Sequence, residues 1–351
     1  MTTELIAFTI ALATSFLLTV PVRRLALQIG MVDHPNARKL HQNPMPLMGG
    51  VAIYCGTMLS LIFSLRGQQQ LDQILGILAG ATLLLATGVL DDRGLLHHQI
   101  KLFLAMPLAA ATVVAVGVRF TILEQFVPGA LGSVLDAGLT LFWMVGVTAA
   151  FSILDHMDGL VSGVAAIASF FFALLATLDG QYFLAPIACA ICGASLGFLR
   201  WNFKPAKIFM GDGGAMFLGF MVAALGVKLR PVLAPQSTAW IVPLLVLAVP
   251  IFDTTLVTVS RSRRGLLPFA TPGKDHTAHR LANLPLGQRG AVLLMYGVGI
   301  FFGLLAVAVN RVALTQVWTL ITFLVLAALV AIMACERLPY ERQLRRVEES
   351  H

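Results

Sequence analysis

Long apolar runs, separated by short polar loops, repeat along almost the whole chain. An α-helix needs about 20 mainly apolar residues to cross the hydrocarbon core of a bilayer. This pattern predicts eleven transmembrane helices, which are centred near Ala13, Gly56, Ala81, Ala110, Val145, Ala168, Cys189, Met221, Leu247, Val298 and Leu324. We therefore expect an all-α, polytopic membrane helix bundle, with residues 1–335 as one membrane domain and residues 336–351 as a cytoplasmic tail.

The composition supports a bilayer rather than water as the solvent. Hydrophobic residues make up 58% of the 351 residues and charged residues only 12%, whereas soluble proteins contain about 25% charged residues. A soluble chain of this size has too much surface to hide that apolar content. The four cysteines lie in or beside apolar runs, which predicts buried thiols rather than a disulfide scaffold. No cleaved signal peptide is expected, because the first apolar run is long and no small-residue cleavage site follows it.

The distribution of lysine and arginine predicts the orientation of the helices, because cytoplasmic loops carry an excess of these residues. With the N-terminus outside and the C-terminus in the cytoplasm, 19 of the 24 basic residues fall on the cytoplasmic side. The five on the outer side are Arg66, Arg119, Lys228, Arg230 and Arg311. This bias accounts for the formal net charge of +7. We therefore expect contact with anionic membrane lipid and no nucleic-acid partner.

The predicted cytoplasmic loops hold most of the unusual polar residues. The third loop reads LDHMDGL, the fourth RWNFKPAKIFMGDGG, and the fifth contains GKDHTAHR. Of the 17 acidic residues, those on this face are Asp33, Asp91, Asp92, Asp155, Asp158, Asp212, Asp253 and Asp275. Carboxylates at the ends of apolar helices usually mark function, although a single one such as Asp158 can serve as a helix cap. In the first loop, Lys39 and His41 either anchor the chain on the inner side or bind phosphate.

These residue types favour metal-dependent phosphoryl transfer. Adjacent aspartates repel each other unless a cation intervenes, and Mg²⁺ binds one or two protein carboxylates together with substrate phosphates. The GDGG turn at Asp212 offers backbone amides at a helix start to a phosphate. His276 and His279 can move protons or bind phosphate. A zinc site is the alternative for the histidines, but no cysteine or third ligand stands near them in the sequence, and the oxygen-rich surroundings favour Mg²⁺.

Five motifs resemble, in order and spacing, those of the polyprenyl-phosphate N-acetylhexosamine-1-phosphate transferases (glycosyltransferase family 4). They are DHPNARKLHQNPMPLMGG, VLDDRGLLHHQIKL, DHMDGL, NFKPAKIFMGDGGAMFLGF and DHTAHRL, and they lie between Asp33 and Leu281. The resemblance implies an enzyme of the bacterial inner membrane whose site faces the cytoplasm. In the implied reaction, the phosphate of undecaprenyl phosphate attacks the β-phosphorus of a UDP-N-acetylhexosamine. UMP leaves, and a lipid-linked sugar diphosphate remains.

The resemblance also implies roles for residues of this chain. Asp91 and Asp92 match the acidic pair of the family, in which one carboxylate is a base toward the lipid phosphate. Asp212, together with Asp92, would bind Mg²⁺, with Mn²⁺ as the alternative. His276 and His279 match the late histidine motif and would bind phosphate and handle protons. The residues expected to bind substrate, among them a phenylalanine that would stack on uracil, are Asp155, Asp158, Asn202, Phe209, Lys39, His41 and Arg280.

One motif departs from the usual family pattern, N-x-x-N-x-x-D-G-x-D-G-L. Ala149 and Ser152 stand at the two asparagine positions, and His156 stands at the first glycine. Serine is shorter than asparagine and offers fewer hydrogen bonds, so we expect an altered sugar-nucleotide preference or rate. The sequences H-T-A-H and R-K-L-H resemble the N-acetylglucosamine branch of the family, because the peptidoglycan branch usually carries three consecutive histidines.

Three other functions remain open at this point. The first is phospho-N-acetylmuramoyl-pentapeptide transfer, which uses the same chemistry on a larger donor. The second is a non-catalytic homologue that acts as a scaffold, which the replaced asparagines would suit. The third is a secondary transporter or channel, which would place its ionisable residues near the bilayer midplane rather than at one face. The sequence also leaves open whether the protein forms a homodimer.

Overall fold

The computed structural model describes residues 2–34, 44–64, 70–96, 98–230, 239–267, 273–310 and 314–338, and it confirms the predicted all-α class. The helices are α1 (Thr2–Gln28), α2 (Gly49–Ser64), α3 (Leu71–Asp92), α4 (His98–Ile100), α5 (Met106–Ala115), α6 (Ala130–Leu154), α7 (Leu160–Leu178), α8 (Leu184–Asn202), α9 (Gly211–Lys228), α10 (Ile241–Val246), α11 (Ala248–Arg263), α12 (Thr277–Ala282), α13 (Gly287–Val309) and α14 (Leu314–Glu336). A π-helical segment, Lys101–Ala105, leads into α5, and Leu123–Gln125 forms a 3-10 turn. Two short strands, β1 (Val32–Asp33) and β2 (Met45–Pro46), pair antiparallel at the ends of the first loop.

The helices are those of a multi-pass membrane protein. Among the described residues, seven helices are long and apolar enough to cross a membrane, namely α1, α3, α6, α7, α8, α13 and the Val317–Glu336 part of α14. Helix α2 and the Lys101–Ala115 segment are apolar but shorter. Ten of the eleven predicted centres lie inside one of these or the remaining helices, and Leu247 lies between α10 and α11. The total of eleven crossings and the direction of the chain remain predictions, and the tail at 336–351 falls almost wholly outside the described residues.

The break at Leu247 follows from the chemistry of proline. Pro250 is the third residue of α11 and has no N–H to donate to the carbonyl of Val246, and its ring would clash with that carbonyl in a continuous helix. Leu247 instead adopts φ −100° and ψ 22°, and the chain begins a new helix. The predicted ninth span is therefore two helices, and Asp253 lies in the second of them.

Helix α9 lies at the centre of the bundle, where nearly all of its side chains are buried. It packs against α2, α3 and α6, and glycines let these backbones approach closely. A Cβ at Gly88 would overlap the backbone of Gly213, and a Cβ at Gly50 would overlap the backbone of Gly214. Because lipid gives helices little hydrophobic reason to associate, such close contacts between small residues hold transmembrane helices together.

The two ends of α9 carry different polar groups. Asp212 lies in its first turn and Lys228 in its last, about 24 Å apart at 1.5 Å per residue. The Lys228 ammonium donates to the side chains of Gln70 and Gln73, beside the start of α3. Helix α3 runs antiparallel to α9 and ends in its aspartate pair near Asp212. Asp91, Asp92 and Asp212 therefore lie together at one end of the bundle, rather than near its middle as in a transporter.

Candidate active site

The aspartate pair at the end of α3 lies directly against the start of α9. The Asp212 N–H donates to Asp92 Oδ1 at 3.1 Å. Gly211 has a φ of 77°, a left-handed conformation that favours glycine, and a Cβ there would overlap the Asp92 carboxylate. The glycine of the GDGG sequence therefore permits a close carboxylate contact at a helix N-terminus, where the backbone amides favour anions.

Lys101 joins two of these carboxylates. Its Nζ donates to Asp91 Oδ2 at 2.7 Å and also to Asp212 Oδ2. Lys101 begins the π-helical segment before α5, and such segments are frequent at functional sites. Lys101 is not among the site residues predicted from the sequence, although it lies in the motif VLDDRGLLHHQIKL. Its place opposite the aspartates follows from the packing of this segment against α3.

A further carboxylate reaches this place from the turn between α6 and α7. Asp155 follows the last residue of α6. Its pKa is raised to about 8, first by burial and then by the negative charges of Asp212, Asp92 and Asp158. Asp155 therefore lies within electrostatic reach of Asp92 and Asp212. Lys101 links Asp91 to the same group. We call Asp91, Asp92, Asp155 and Asp212 the carboxylate cluster.

Asp158 lies at the edge of this cluster and points to the segment after α8. Its Oδ2 accepts the Ala206 N–H at 3.1 Å, and Lys204 Nζ lies 3.9 Å away. The backbone of Phe209 also holds the end of the first loop, because its N–H donates to the Pro46 carbonyl at 2.9 Å. Both predicted substrate residues, Asp158 and Phe209, are only partly buried, so their contact with substrate remains a prediction.

Asn202 holds two parts of the site together. Its side chain is 4% exposed. Its Oδ1 accepts the Gly159 N–H at 3.0 Å, and its Nδ2 donates to the Ile208 carbonyl at 3.0 Å. Asn202 therefore fixes the α6–α7 turn against the segment that leads to Asp212, and its predicted contact with substrate remains a prediction.

Arg280, another predicted substrate residue, links three helices. Its side chain is fully buried. Its guanidinium donates to the Asp275 carbonyl, the Cys335 carbonyl, Ser260 Oγ and Glu336 Oε1 at 2.7–2.9 Å. Arg280 therefore ties α12 to the ends of α11 and α14, and its contact with substrate remains a prediction.

The two predicted histidines lie in a second group beside the turn. His276 Nδ1 is 2.8 Å from Asp253 Oδ2, and Asp253 Oδ1 accepts the Thr277 N–H at 2.7 Å. The His156 ring packs against both, with its centre 4.2 Å from that of His276 and 4.5 Å from that of His279. The sequence predicts Asp253 on the same face as the other site aspartates but gives it no role. It shows His156 only as a departure from the family motif. We call His156, Asp253, His276 and His279 the histidine cluster.

Two predicted residues, Lys39 and His41, lie outside the described residues, so their binding of substrate remains a prediction. The end of their loop is nevertheless fixed at the site. Gly49 and Gly50 donate their N–H groups to the carbonyls of Phe209 and Met210 at 3.0 and 2.8 Å. The first loop therefore returns to the bundle beside the GDGG turn.

The carboxylate cluster fits a hard divalent cation. All of its side-chain donors are oxygen, the ligand type of Mg²⁺ and Mn²⁺. The pKa of Asp155 is raised first by burial and then by the negative charges of Asp212, Asp92 and Asp158, and a bound cation would offset those charges. Asp212 and Asp92, the predicted ligands, would hold such an ion, and its binding remains a prediction.

Binding of a divalent cation to this cluster is expected to tighten as the pH rises from 6 to 8 and then to level off. Below about pH 8, Asp155 holds a proton, and the ion must compete with that proton. The affinity for the ion therefore falls as the pH falls, by at most about tenfold per pH unit for one proton. Asp155→Asn should make this dependence less steep, because the proton of Asp155 no longer competes with the ion. The measurement is the free Mn²⁺ signal in electron paramagnetic resonance during titration. Equal pH slopes for the unchanged protein and the variant would contradict the assignment.

Comparison with known proteins identifies the family of this chain. The family model described as glycosyl transferase family 4 matches residues 74–230. The chain is 32% identical over 352 residues to a Bacillus subtilis (strain 168) protein named "Probable undecaprenyl-phosphate N-acetylglucosaminyl 1-phosphate transferase", which covers 97% of this chain and 96% of that protein. It is 33% identical to the "Decaprenyl-phosphate N-acetylglucosaminephosphotransferase" of Mycolicibacterium smegmatis, over 83% of this chain and 78% of that one.

A more distant relative extends the same pattern to another bacterial group. The Escherichia coli (strain K12) protein named "Undecaprenyl-phosphate alpha-N-acetylglucosaminyl 1-phosphate transferase" is 26% identical, over 87% of this chain and 83% of its own. The first match covers both chains almost completely at more than 30% identity. The motifs, the fold and these similarities agree, and the chain belongs to glycosyl transferase family 4, the family of polyprenyl-phosphate N-acetylhexosamine-1-phosphate transferases.

Proposed function

We propose that this protein transfers N-acetylglucosamine 1-phosphate from UDP-N-acetylglucosamine to undecaprenyl phosphate and releases UMP. The observation that carries the proposal is the carboxylate cluster, in which chain segments from α3, the α6–α7 turn and α9 meet around Lys101. This arrangement suits two substrates that both carry phosphate. The relatives named above are transferases of N-acetylglucosamine phosphate to a polyprenyl phosphate, which supports the choice of sugar and acceptor.

In the proposed reaction, an oxygen of the lipid phosphate forms a bond to the β-phosphorus of the donor, and the bond from that phosphorus to the UMP oxygen breaks. Asp91 or Asp92 accepts the proton of the lipid phosphate. A bound Mg²⁺, held by Asp212 and Asp92, would neutralise charge on the diphosphate. His276 and His279 contact phosphate oxygens or return a proton to the leaving group.

We propose that the site faces the cytoplasm of a bacterium at the inner membrane and that the product serves cell-envelope glycan synthesis. The excess of basic residues in the loops that carry the site supports this orientation. The acidic ends of α3 and α9 lie at the same end of the bundle as the histidine cluster, since Asp155 and His156 are neighbours in one turn.

The test is a panel of UDP-sugars offered to purified protein with Mg²⁺ and undecaprenyl phosphate, scored for UMP release. The proposal expects release with UDP-N-acetylglucosamine, and only when the lipid phosphate is present. Release with UDP-N-acetylmuramoyl-pentapeptide alone would assign the protein to the peptidoglycan branch. No turnover with any donor, from protein that elutes as a folded species, would favour a non-catalytic scaffold.

Ser152→Asn, which restores the usual family residue, is expected to change the relative rates with the donors of this panel by roughly 5- to 100-fold, because a gained or lost hydrogen bond to a substrate is worth about 1–3 kcal/mol. Ser152 lies one turn before Asp155 and is only partly buried, so the longer amide has room to reach the cluster. Ala150→Ser, which also adds a polar group at a buried position of the same helix but outside the two asparagine positions, is the control. Unchanged rates for every donor in both variants would show that the departure at position 152 is neutral.

A further inference from the structure

Three side chains of the histidine cluster come from separate elements and converge on one point. His156 lies in the α6–α7 turn, Asp253 in α11, and His276 directly before α12. One donor atom from each lies within 4.8 Å of the other two. The sequence offers no third ligand near His276 and His279, and the fold supplies two, His156 and Asp253, from distant positions.

The surroundings of His156 indicate a bound ligand. Among the described residues, neither of its ring nitrogens has a hydrogen-bond partner, and both are closed to solvent. A buried polar atom without a partner costs about 1–3 kcal/mol. Burial and then the charges of His276 and His279 hold the pKa of His156 well below its usual range, so the ring is neutral. A neutral imidazole offers a lone pair, which is what a metal ion requires.

The donor atoms need only a small adjustment to share an ion with short bonds. Asp253 Oδ2 and His276 Nδ1 are 2.8 Å apart. Two ligands of a tetrahedral ion with metal bonds of 2.0–2.1 Å are about 3.3–3.4 Å apart, so these two atoms would separate by about 0.5 Å on binding. An ion between them would displace the proton that the two side chains share and release it to solvent. Asp253 has its other oxygen on the Thr277 N–H, which orients the carboxylate, as outer partners of metal ligands do.

We propose that His156, Asp253 and His276 form a binding site for a first-row transition metal, most suitably Zn²⁺, separate from the carboxylate cluster. Two imidazoles and one carboxylate are a zinc ligand set that leaves positions open, whereas Mg²⁺ prefers oxygen alone. The ion would join the α6–α7 turn to α11 and α12 and fix the turn that carries Asp155. The proposal does not rest on the proposed reaction, and its test uses no substrate.

The experiment titrates chelator-treated, full-length protein in detergent with Zn²⁺, and separately with Co²⁺, whose visible absorption reports nitrogen and oxygen ligands. We expect one ion per chain, bound with the same affinity in a large excess of Mg²⁺. His156→Gly and Asp253→Asn should each weaken binding by more than roughly 100-fold, because even outer partners of zinc ligands are worth about 10–100-fold. His34→Gln, at an exposed histidine of the first loop, should bind like the unchanged protein.

Three outcomes would overturn the proposal. The first is that the unchanged protein binds no Zn²⁺ beyond what detergent alone retains. The second is displacement of the bound ion by Mg²⁺, which would place it in the carboxylate cluster. The third is unaltered affinity in His156→Gly. The first two outcomes are measured on the unchanged protein. The proposal can therefore be refuted even if a variant fails to fold. Failure of UMP release in the donor panel would leave this result unaffected.

Discussion

Purified Asp212→Ala protein is expected to release UMP more than roughly 1,000-fold more slowly than the unchanged protein. A bound metal ion stabilises the charge of the transition state by several kcal/mol, and each 1.4 kcal/mol changes the rate about tenfold. Asp212 interacts with three other residues of the site. Its N–H binds Asp92, its carboxylate binds Lys101, and its charge raises the pKa of Asp155. Removing it therefore removes a proposed ligand and leaves Lys101 with Asp91 alone.

The control for this change lies on the helix that carries the aspartate pair. Asp72 is an exposed aspartate in the first turn of α3, at the opposite end from Asp92, so Asp72→Ala removes the same group without touching the cluster. Asp212→Asn keeps the size of the side chain and the N–H contact, and should be as inactive as the alanine variant. Titration with Mn²⁺ shows whether the loss lies in ion binding. Turnover within a few-fold of normal in Asp212→Ala would refute the assigned site.

The carboxylate cluster was predictable because its members stand at the ends of apolar helices. The number and spacing of those helices follow from the width of a bilayer, so alternating spans place Asp92, Asp155 and Asp212 at one end of the bundle before any packing is known. Leu247 shows the limit of this reasoning. Its surroundings are apolar enough for a span, and only Pro250 three residues later determines that the helix breaks.

Lys101 and Asp253 show what the sequence does not reveal. In a water-soluble helix, the polar face tells which residues point outward, but a transmembrane helix is apolar on every side, and the direction of one polar side chain depends on its neighbours. The internal hydrogen bonds of Asn202 and Arg280 could not be predicted for a related reason. A buried amide or guanidinium must find partners, and the sequence does not show that the protein itself provides them.

The α6–α7 turn is the joint between the two clusters. Asp155 enters the carboxylate cluster, and its neighbour His156 enters the histidine cluster. Gly159, whose φ is 80°, ends the turn, and Asn202 and Tyr296 hold its N–H and carbonyl. A five-residue turn thus couples a proposed oxygen site to a proposed nitrogen site. Small changes in this turn should therefore affect both.

Asp275→Ala is expected to lower the free energy of unfolding by about 3–5 kcal/mol, because it leaves a buried cation without its partner. Asp275 and Arg261 are 3% and 5% exposed. Arg261 donates to both carboxylate oxygens at 3.0 and 2.7 Å, and Arg264 adds a third bond at 2.6 Å. These bonds hold the loop before His276 against the end of α11. The measurement is unfolding by dodecyl sulfate in mixed micelles, followed by circular dichroism.

Glu124→Ala is the matched control. Glu124 pairs with Arg119 at 3.5 Å, with both side chains about one-third exposed, and an exposed pair is worth at most about 1 kcal/mol.

The pH dependence of stability distinguishes loss of the Asp275 ion pair from general damage to the fold. Burial raises the pKa of Asp275, but the hydrogen bonds from Arg261 and Arg264 outweigh it and hold the pKa well below its usual range. The carboxylate therefore stabilises the fold above its ordinary pKa of 3.8, and this contribution is lost as the pH falls below that value. The unchanged protein should lose stability over that range while Asp275→Ala does not, and parallel curves would mean that the ion pair adds nothing to the fold.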